Sequence, residues 1–168
     1  MTYVVINGTS ASETITGYND LIDPDSILAG DGDDTVYALD GPDIVEGEDG
    51  DDSIFGGTYD DTVYGGAGED TVHGDDDNDS IYGGDDEDVL YGDAGHDFAY
   101  GDGGNDTLYG GTGTDYLFGG DGNDSLYSGA GDYDHLHGGD GDDYLYDVEG
   151  YALFTGDAGN DTIISGDG

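Results

Sequence analysis

Aspartate recurs at every ninth residue through the middle of this 168-residue chain, without interruption from Asp34 to Asp124. A carboxylate supplies hard oxygen ligands, which Ca²⁺ and similar cations prefer in proteins. The chain contains 43 Asp and Glu residues and no Lys or Arg, so no basic side chain of its own can neutralise these carboxylates. The regular spacing therefore predicts repeated sites whose positive charge comes from outside the chain.

The formal net charge of −43 restricts both the folding of the chain and its partners. Charge of this size repels itself and opposes compaction. Only 33% of the residues are hydrophobic, so we expect the chain to be disordered when it has no partner. Two classes of partner remain, proteins rich in Arg and Lys, and hard cations. Nucleic acid and anionic lipid surfaces are excluded because no basic side chain is available to contact their phosphates.

The sequence also excludes several kinds of chemistry and a membrane-inserted chain. It contains no Cys, so disulfides, thiolate metal sites and Cys nucleophiles are absent. No apolar run reaches membrane-spanning length, which predicts that the chain does not insert into a membrane. The first residues lack the positively charged segment and long apolar segment of a secretory signal.

Each nine-residue unit reads as a glycine-rich turn followed by a short strand. In residues 110–118, the glycines of the turn permit positive φ and precede Asp115, and the β-prone residues Tyr116, Leu117 and Phe118 follow it. Alternation along a strand points Leu117 inward and its neighbours outward. Two units can close one coil of about 18 residues, and coils then stack through parallel strands. About 17 units predict about eight coils in a rod roughly 40 Å long.

The units resemble the RTX nonapeptide, the hemolysin-type calcium-binding repeat Gly-Gly-x-Gly-x-Asp-x-U-x, in which U is apolar. The resemblance covers residues 8–164. It implies an all-β fold, a right-handed parallel β-roll (a β-helix solenoid) of about 17 nonapeptide repeats. The full matches are GGAGEDTVH (65–73), GGTGTDYLF (110–118), GGDGNDSLY (119–127) and GGDGDDYLY (138–146).

The resemblance also implies where multiple Ca²⁺ ions bind. In this family the ions sit in the turns, between units that are two repeats apart. The sixth-position aspartate supplies carboxylate oxygen, and carbonyls of turn positions one to four supply the rest. The pairs implied in this way include Asp52 with Asp70 and Asp61 with Asp79. The implied metal ligands are Asp25, Asp34, Asp43, Asp52, Asp61, Asp70, Asp79, Asp88, Asp97, Asp106, Asp115, Asp124, Asp134, Asp143 and Asp161.

We divide the chain into three parts on this basis. Residues 1–7 are predicted to form an N-terminal strand or cap that lies across the first coil. Residues 8–164 form the calcium-binding β-roll, and residues 165–168 begin an incomplete further repeat. Within the roll, Ala152 stands where the sixth-position aspartate belongs, which predicts a missing ligand around residues 147–155.

The predicted function is an extracellular calcium-binding β-roll that folds on binding a row of Ca²⁺ ions and serves as a structural or secretion-folding module. By resemblance, the protein is secreted through the type I route, as is typical of Gram-negative bacteria. One alternative is a self-assembling structural protein of an extracellular fibre, surface layer or adhesin, with head-to-tail association of copies. Another is a non-catalytic fragment of a secreted RTX enzyme or toxin whose activity lies outside this chain. We predict no enzymatic activity, because a uniform rod has no cleft and no nucleophile motif is present.

Aromatic residues occupy many of the ninth positions of the repeats, and the chain contains four histidines. The aromatic residues are predicted to form outward ladders that stabilise neighbouring strands, and a sugar-stacking face is the alternative. His135 and His137 flank Leu136, so both point outward from one strand. We interpret them as solvent-facing residues, with a transition-metal site as the alternative.

Overall fold

The computed structural model describes residues 4–18, 24–131, 133–149 and 151–166. Every regular element in these ranges is a β-strand, and none of the described residues form a helix long and apolar enough to cross a membrane. The odd-numbered strands form a first sheet, with β1 Val4–Asn7, β3 Asp25–Asp31, β5 Ile44–Asp49, β7 Thr62–Ala67, β9 Ser80–Asp85, β11 Phe98–Gly103, β13 Tyr116–Asp121, β15 His135–Asp140 and β17 Leu153–Ala158. The even-numbered strands form a second sheet, with β2 Thr14–Thr16, β4 Thr35–Asp40, β6 Ser53–Thr58, β8 Thr71–Asp76, β10 Val89–Ala94, β12 Thr107–Thr112, β14 Ser125–Ala130, β16 Tyr144–Asp147 and β18 Thr162–Ser165.

Successive strands alternate between the two sheets, and each strand pairs in parallel with the strand two places along the chain. Equivalent repeat positions are in register, as in the pairing of Leu90 with Leu108. The predicted all-β parallel solenoid is confirmed. Within the described residues each sheet contains nine strands, and 17 of these 18 strands correspond to the about 17 predicted repeats, which gives about nine coils where we expected about eight. The additional strand is β1, which lies outside the repeats. It extends the first sheet in register, with Ile6 beside Ile27, rather than lying across the first coil.

The core is a single file of apolar side chains between the two sheets. Along the strands from β2 to β16, buried residues alternate with residues that are more exposed, as in the buried Leu117 between the half-buried Tyr116 and Phe118. On most strands one large inward side chain is enough for this narrow core, and β3 and β4 add the small side chains of Ala29 and Ala38, which explains how a chain with few hydrophobic residues folds. The eighth-position residues that fill it are Ile15, Ile27, Val36, Val45, Ile54, Val63, Val72, Ile81, Leu90, Ala99, Leu108, Leu117, Leu126, Leu136 and Leu145.

The predicted aromatic ladders lie on the outer faces of both sheets. The rings of Tyr91 and Tyr109 stack with centroids 4.9 Å apart, and those of Tyr64 and Tyr82 stack at 4.8 Å. This distance equals the spacing of neighbouring strands, so the ladders follow directly from in-register pairing. Two histidines take ninth positions in these ladders, His73 in the second sheet and His137 in the first.

Candidate metal centre

The predicted aspartates lie in the turns immediately before the strands, where the chain passes from one sheet to the other. Every one of them from Asp25 to Asp143 is buried, with no more than 2% of its surface exposed, and Asp161 is half-buried. A carboxylate withdrawn from water is costly unless hydrogen bonds or a cation compensate it. The hydrogen-bond partners of the two carboxylate oxygens therefore determine whether these turns can bind a cation.

One oxygen of each carboxylate joins adjacent coils. The backbone N–H of Asp52 donates to Oδ1 of Asp70 at 2.8 Å, and that of Asp61 donates to Oδ1 of Asp79 at 2.8 Å. The same bond recurs along both rows of turns, up to the donation by Asp143 to Asp161 at 3.1 Å. The structure thus brings together the aspartates that the sequence pairs at a spacing of 18 residues.

At eleven of these positions, the second oxygen, Oδ2, lacks such a partner. At those eleven positions Oδ2 is buried and accepts no hydrogen bond from any residue that the structure describes. A buried carboxylate oxygen without a partner loses its hydration without replacement. These atoms fit a cation that the chain itself does not contain. They belong to Asp34, Asp52, Asp61, Asp70, Asp79, Asp88, Asp97, Asp106, Asp115, Asp124 and Asp143.

A backbone carbonyl faces the same space as the free carboxylate oxygen. A Cβ atom built on Gly56, at the first position of its repeat, would lie 2.7 Å from Asp61 Oδ2 and 2.7 Å from the carbonyl oxygen of Gly74 in the next coil. Glycine at this position therefore leaves open a small space lined by oxygen atoms. An all-oxygen set of carboxylates and carbonyls suits Ca²⁺, which accepts flexible geometry at six to eight oxygens. The residues present fit a row of calcium sites.

The pKa values of the turn aspartates also favour a bound cation. Burial, together with the negative charge of neighbouring aspartates, raises the pKa of nine of these carboxyl groups well above the usual value of 3.8. Without a cation, many of them therefore hold a proton near neutral pH, and a bound cation would replace that proton. The pKa is about 6 for Asp52, Asp106, Asp115 and Asp124, about 7 for Asp70 and Asp97, about 8 for Asp61 and Asp88, and about 9 for Asp79.

Asp147 is a buried acidic residue that the sequence pattern did not identify. It stands at the first position of the repeat in which Ala152 replaces the sixth-position aspartate, and it is 1% exposed. Its Oδ2 accepts a hydrogen bond from the backbone N–H of Ala152 at 3.1 Å, and its Oδ1 accepts one from the Ser128 hydroxyl at 2.9 Å. The carboxylate therefore lies beside the position that the missing side chain leaves empty. A paired change, with glycine lost at position one and aspartate lost at position six, is the signal that could have revealed it.

We expect replacement of Asp147 by Ala to destabilise the calcium-loaded protein by roughly 1–3 kcal/mol, because a buried hydroxyl and a backbone N–H lose their acceptor. Urea unfolding followed by circular dichroism measures this change. Asp140→Ala is the matched control, since Asp140 is exposed and its loss changes the net charge equally. The double variant Asp147→Gly with Ala152→Asp restores the common pattern and should recover the stability. Equal unfolding midpoints for the two single variants would contradict this role for Asp147.

Comparison with protein families matches the chain to the RTX calcium-binding nonapeptide repeat. A comparison with curated proteins gave no significant match. The matched segments are residues 7–45, 46–81, 64–99, 100–133, 132–146 and 153–168. The repeats of this family bind Ca²⁺, and the stacked, buried aspartates described above fit a row of calcium sites. Because the matched segments extend over nearly the whole length, the chain belongs to the family of RTX calcium-binding nonapeptide repeats.

Proposed function

We propose that this protein is an extracellular calcium-binding module that folds when a row of Ca²⁺ ions occupies its turns. The observation that carries the proposal is the series of buried Oδ2 atoms without hydrogen-bond donors, repeated along the described turns. From Asp52 onward, these atoms share their space with a backbone carbonyl that belongs to the next coil, as at Gly56. The sites therefore form only when the coils stack, so Ca²⁺ binding and folding are coupled.

Charge supports the same conclusion. The chain has a net charge of −43, and folding concentrates its aspartates in two rows of turns. Each bound Ca²⁺ adds two positive charges at the point where carboxylates from adjacent coils approach. When a site does not exist in the unfolded chain, the free energy of metal binding contributes directly to folding. Calcium then supplies stability that the single-file core cannot provide alone.

This coupling gives calcium concentration control over when the chain folds. In a compartment with little calcium, self-repulsion keeps the chain extended, a state suited to passage through a secretion channel. In a calcium-rich extracellular medium, the same chain folds into the β-roll. The role that we propose is therefore structural, a module that folds after export and does not catalyse a reaction.

The side chain of Asp115 offers a direct test of the proposed ligands. We expect Asp115→Asn to weaken calcium binding at the neighbouring turns, because the amide keeps the shape of the side chain but removes the charged oxygen. Loss of an interaction with a charged group costs roughly 1.5–3 kcal/mol, which corresponds to about tenfold to a hundredfold in affinity. Isothermal titration calorimetry with Ca²⁺ measures the affinity, and circular dichroism gives the calcium midpoint of folding.

Asp121→Asn is the matched control for this test. Asp121 lies at the third position of the next repeat, is exposed, and loses the same charge on substitution. Its calcium midpoint should remain close to that of the unmodified protein. If the two variants had the same affinity and the same midpoint, the sixth-position aspartates would not be the calcium ligands, and the proposed function would lose its basis.

A structural role in a fibre, surface layer or adhesin is a second proposal, supported by the ends of the roll. In the described part of the chain, β1 and β2 end the two sheets on one side, and β17 and β18 end them on the other. Leu153 in β17 is 60% exposed and Ile163 in β18 is 47% exposed. Strand edges with apolar side chains can pair with a second copy in a head-to-tail contact that does not close. Electron microscopy of the calcium-loaded protein tests this, and uniform short rods would exclude it.

A further inference from the structure

On the outer face of the second sheet, three side chains meet that lie outside the series of sixth-position aspartates. His73, Asp75 and Asp93 each bring one ligand atom to a cluster in which these atoms all lie within 4.8 Å of one another. We propose that these three residues form a binding site for a divalent transition-metal ion, such as Zn²⁺, separate from the row of calcium sites.

The register of the sheet assembles the cluster. His73 and Asp75 lie two residues apart on β8, so their side chains point to the same face. Asp93 occupies the position equivalent to Asp75 on β10, the neighbouring strand. The Nδ1 atom of His73 lies 2.8 Å from Oδ2 of Asp93. All three residues are half-buried, so their ligand atoms are within reach of an ion from solvent.

The histidine ring is held in place before any ion binds. It stacks between Phe55, with ring centroids 5.0 Å apart, and Tyr91, at 4.4 Å. The plane of the imidazole differs from that of Phe55 by 9° and from that of Tyr91 by 4°, so the imidazole stacks nearly parallel to both rings. Rigid support of this kind lowers the cost of ordering a ligand when the metal binds.

The donor set distinguishes this cluster from the calcium sites. One imidazole nitrogen with two carboxylate oxygens suits divalent transition metals, whereas Ca²⁺ is bound through oxygen. Burial, followed by the charge of Asp93, raises the pKa of Asp75, as expected for two carboxylates that repel each other. A divalent ion would remove this repulsion. Three protein ligands leave further coordination positions for water, as in open zinc sites.

A second histidine in the chain provides an internal comparison. The Nδ1 atom of His137 on β15 lies 2.9 Å from Oδ2 of Asp157 on β17, the same arrangement as that of His73 with Asp93. The position equivalent to Asp75 is occupied by Gly139, so this pair lacks the third ligand. The inferred site therefore differs from an ordinary exposed His–Asp contact by one residue, Asp75.

The test is a titration of Zn²⁺ alone into the full chain in excess Ca²⁺, with the heat of binding recorded by calorimetry. We expect one tight Zn²⁺ equivalent for the unmodified protein. Asp75→Gly should weaken it at least about tenfold, a loss found even when an outer-shell partner of a metal ligand is removed. This variant installs the glycine common at the second position and relieves the positive φ of 74° at Asp75, so it should fold normally. His137→Gln should leave the tight equivalent unchanged.

Proton NMR with Co²⁺ identifies the residue that binds. The paramagnetic ion is expected to broaden the imidazole signals of His73 at substoichiometric amounts, before those of His137. Equal Zn²⁺ affinity of the unmodified protein and Asp75→Gly, or equal broadening of the two histidines, would overturn the proposal. Circular dichroism of each variant against Ca²⁺ is recorded in parallel. Calcium-dependent folding can therefore fail or succeed independently of the transition-metal site.

Discussion

Chelation of calcium at neutral pH is expected to convert this protein from a β-rich rod to a disordered chain, and added Ca²⁺ should restore the rod. The physical reason is the imbalance between a net charge of −43 and a core that receives at most one large apolar side chain per strand. Without cations, the buried carboxylates either remain charged in a dry environment or must bind protons. Far-ultraviolet circular dichroism during titration with a chelator, and then with Ca²⁺, measures this conversion.

Magnesium and sodium are the controls for the chelation experiment. Mg²⁺ carries the same charge but requires near-ideal octahedral geometry and gives up its water slowly, so it should not fold the chain at comparable concentration. NaCl at matched ionic strength screens repulsion between exposed charges but does not fill the turns. A β-type spectrum that survives exhaustive chelation would show that the roll is stable without ions, and the proposed coupling would then be wrong.

Acidification of the calcium-free protein is expected to restore part of the order that chelation removes. Nine of the buried aspartates have a pKa between about 6 and about 9 in the folded roll, against 3.8 for the unperturbed group. Between about pH 4 and about pH 9 the folded state therefore binds more protons than the unfolded state. Stability falls with rising pH wherever the folded state binds more protons. Lowering the pH through this range thus stabilises the ion-free roll, because protons neutralise carboxylates that calcium would otherwise neutralise.

Circular dichroism of the chelated protein between about pH 8 and about pH 5 measures this effect, at a pH above the sequence pI of 4.1 to limit precipitation. Calcium-loaded protein is the control, and its behaviour should be the reverse. Protons compete with Ca²⁺ for the same oxygens, so more calcium is needed for folding as the pH falls. A chelated chain that is equally disordered at both ends of this range would contradict the raised pKa values.

The comparison of the expected and observed fold shows why a repeat pattern is so informative. In a solenoid each repeat contacts only its neighbours, so a local pattern repeated along the chain specifies the whole fold. The spacing of nine is sufficient to identify the inward residues, such as Leu117, and the aspartates of the turns, such as Asp115. It also identifies the pairs 18 residues apart, because two units form one coil. The repeats account for 17 of the 18 described strands, and the remaining one, β1, was not counted because it has no repeat motif; it extends the first sheet through parallel pairing with β3.

The amino-acid sequence alone determined the repeat, the parallel β-solenoid and the family resemblance, and it predicted the series of calcium ligands, because these depend on contacts between equivalent positions. Three features required the folded arrangement. Asp147 compensates for Ala152 because positions one and six of a turn share one space. The raised pKa of Asp79 depends on burial and on the charges of adjacent coils. The His73 cluster depends on the direction of side chains across two strands, which stacking between Phe55 and Tyr91 determines.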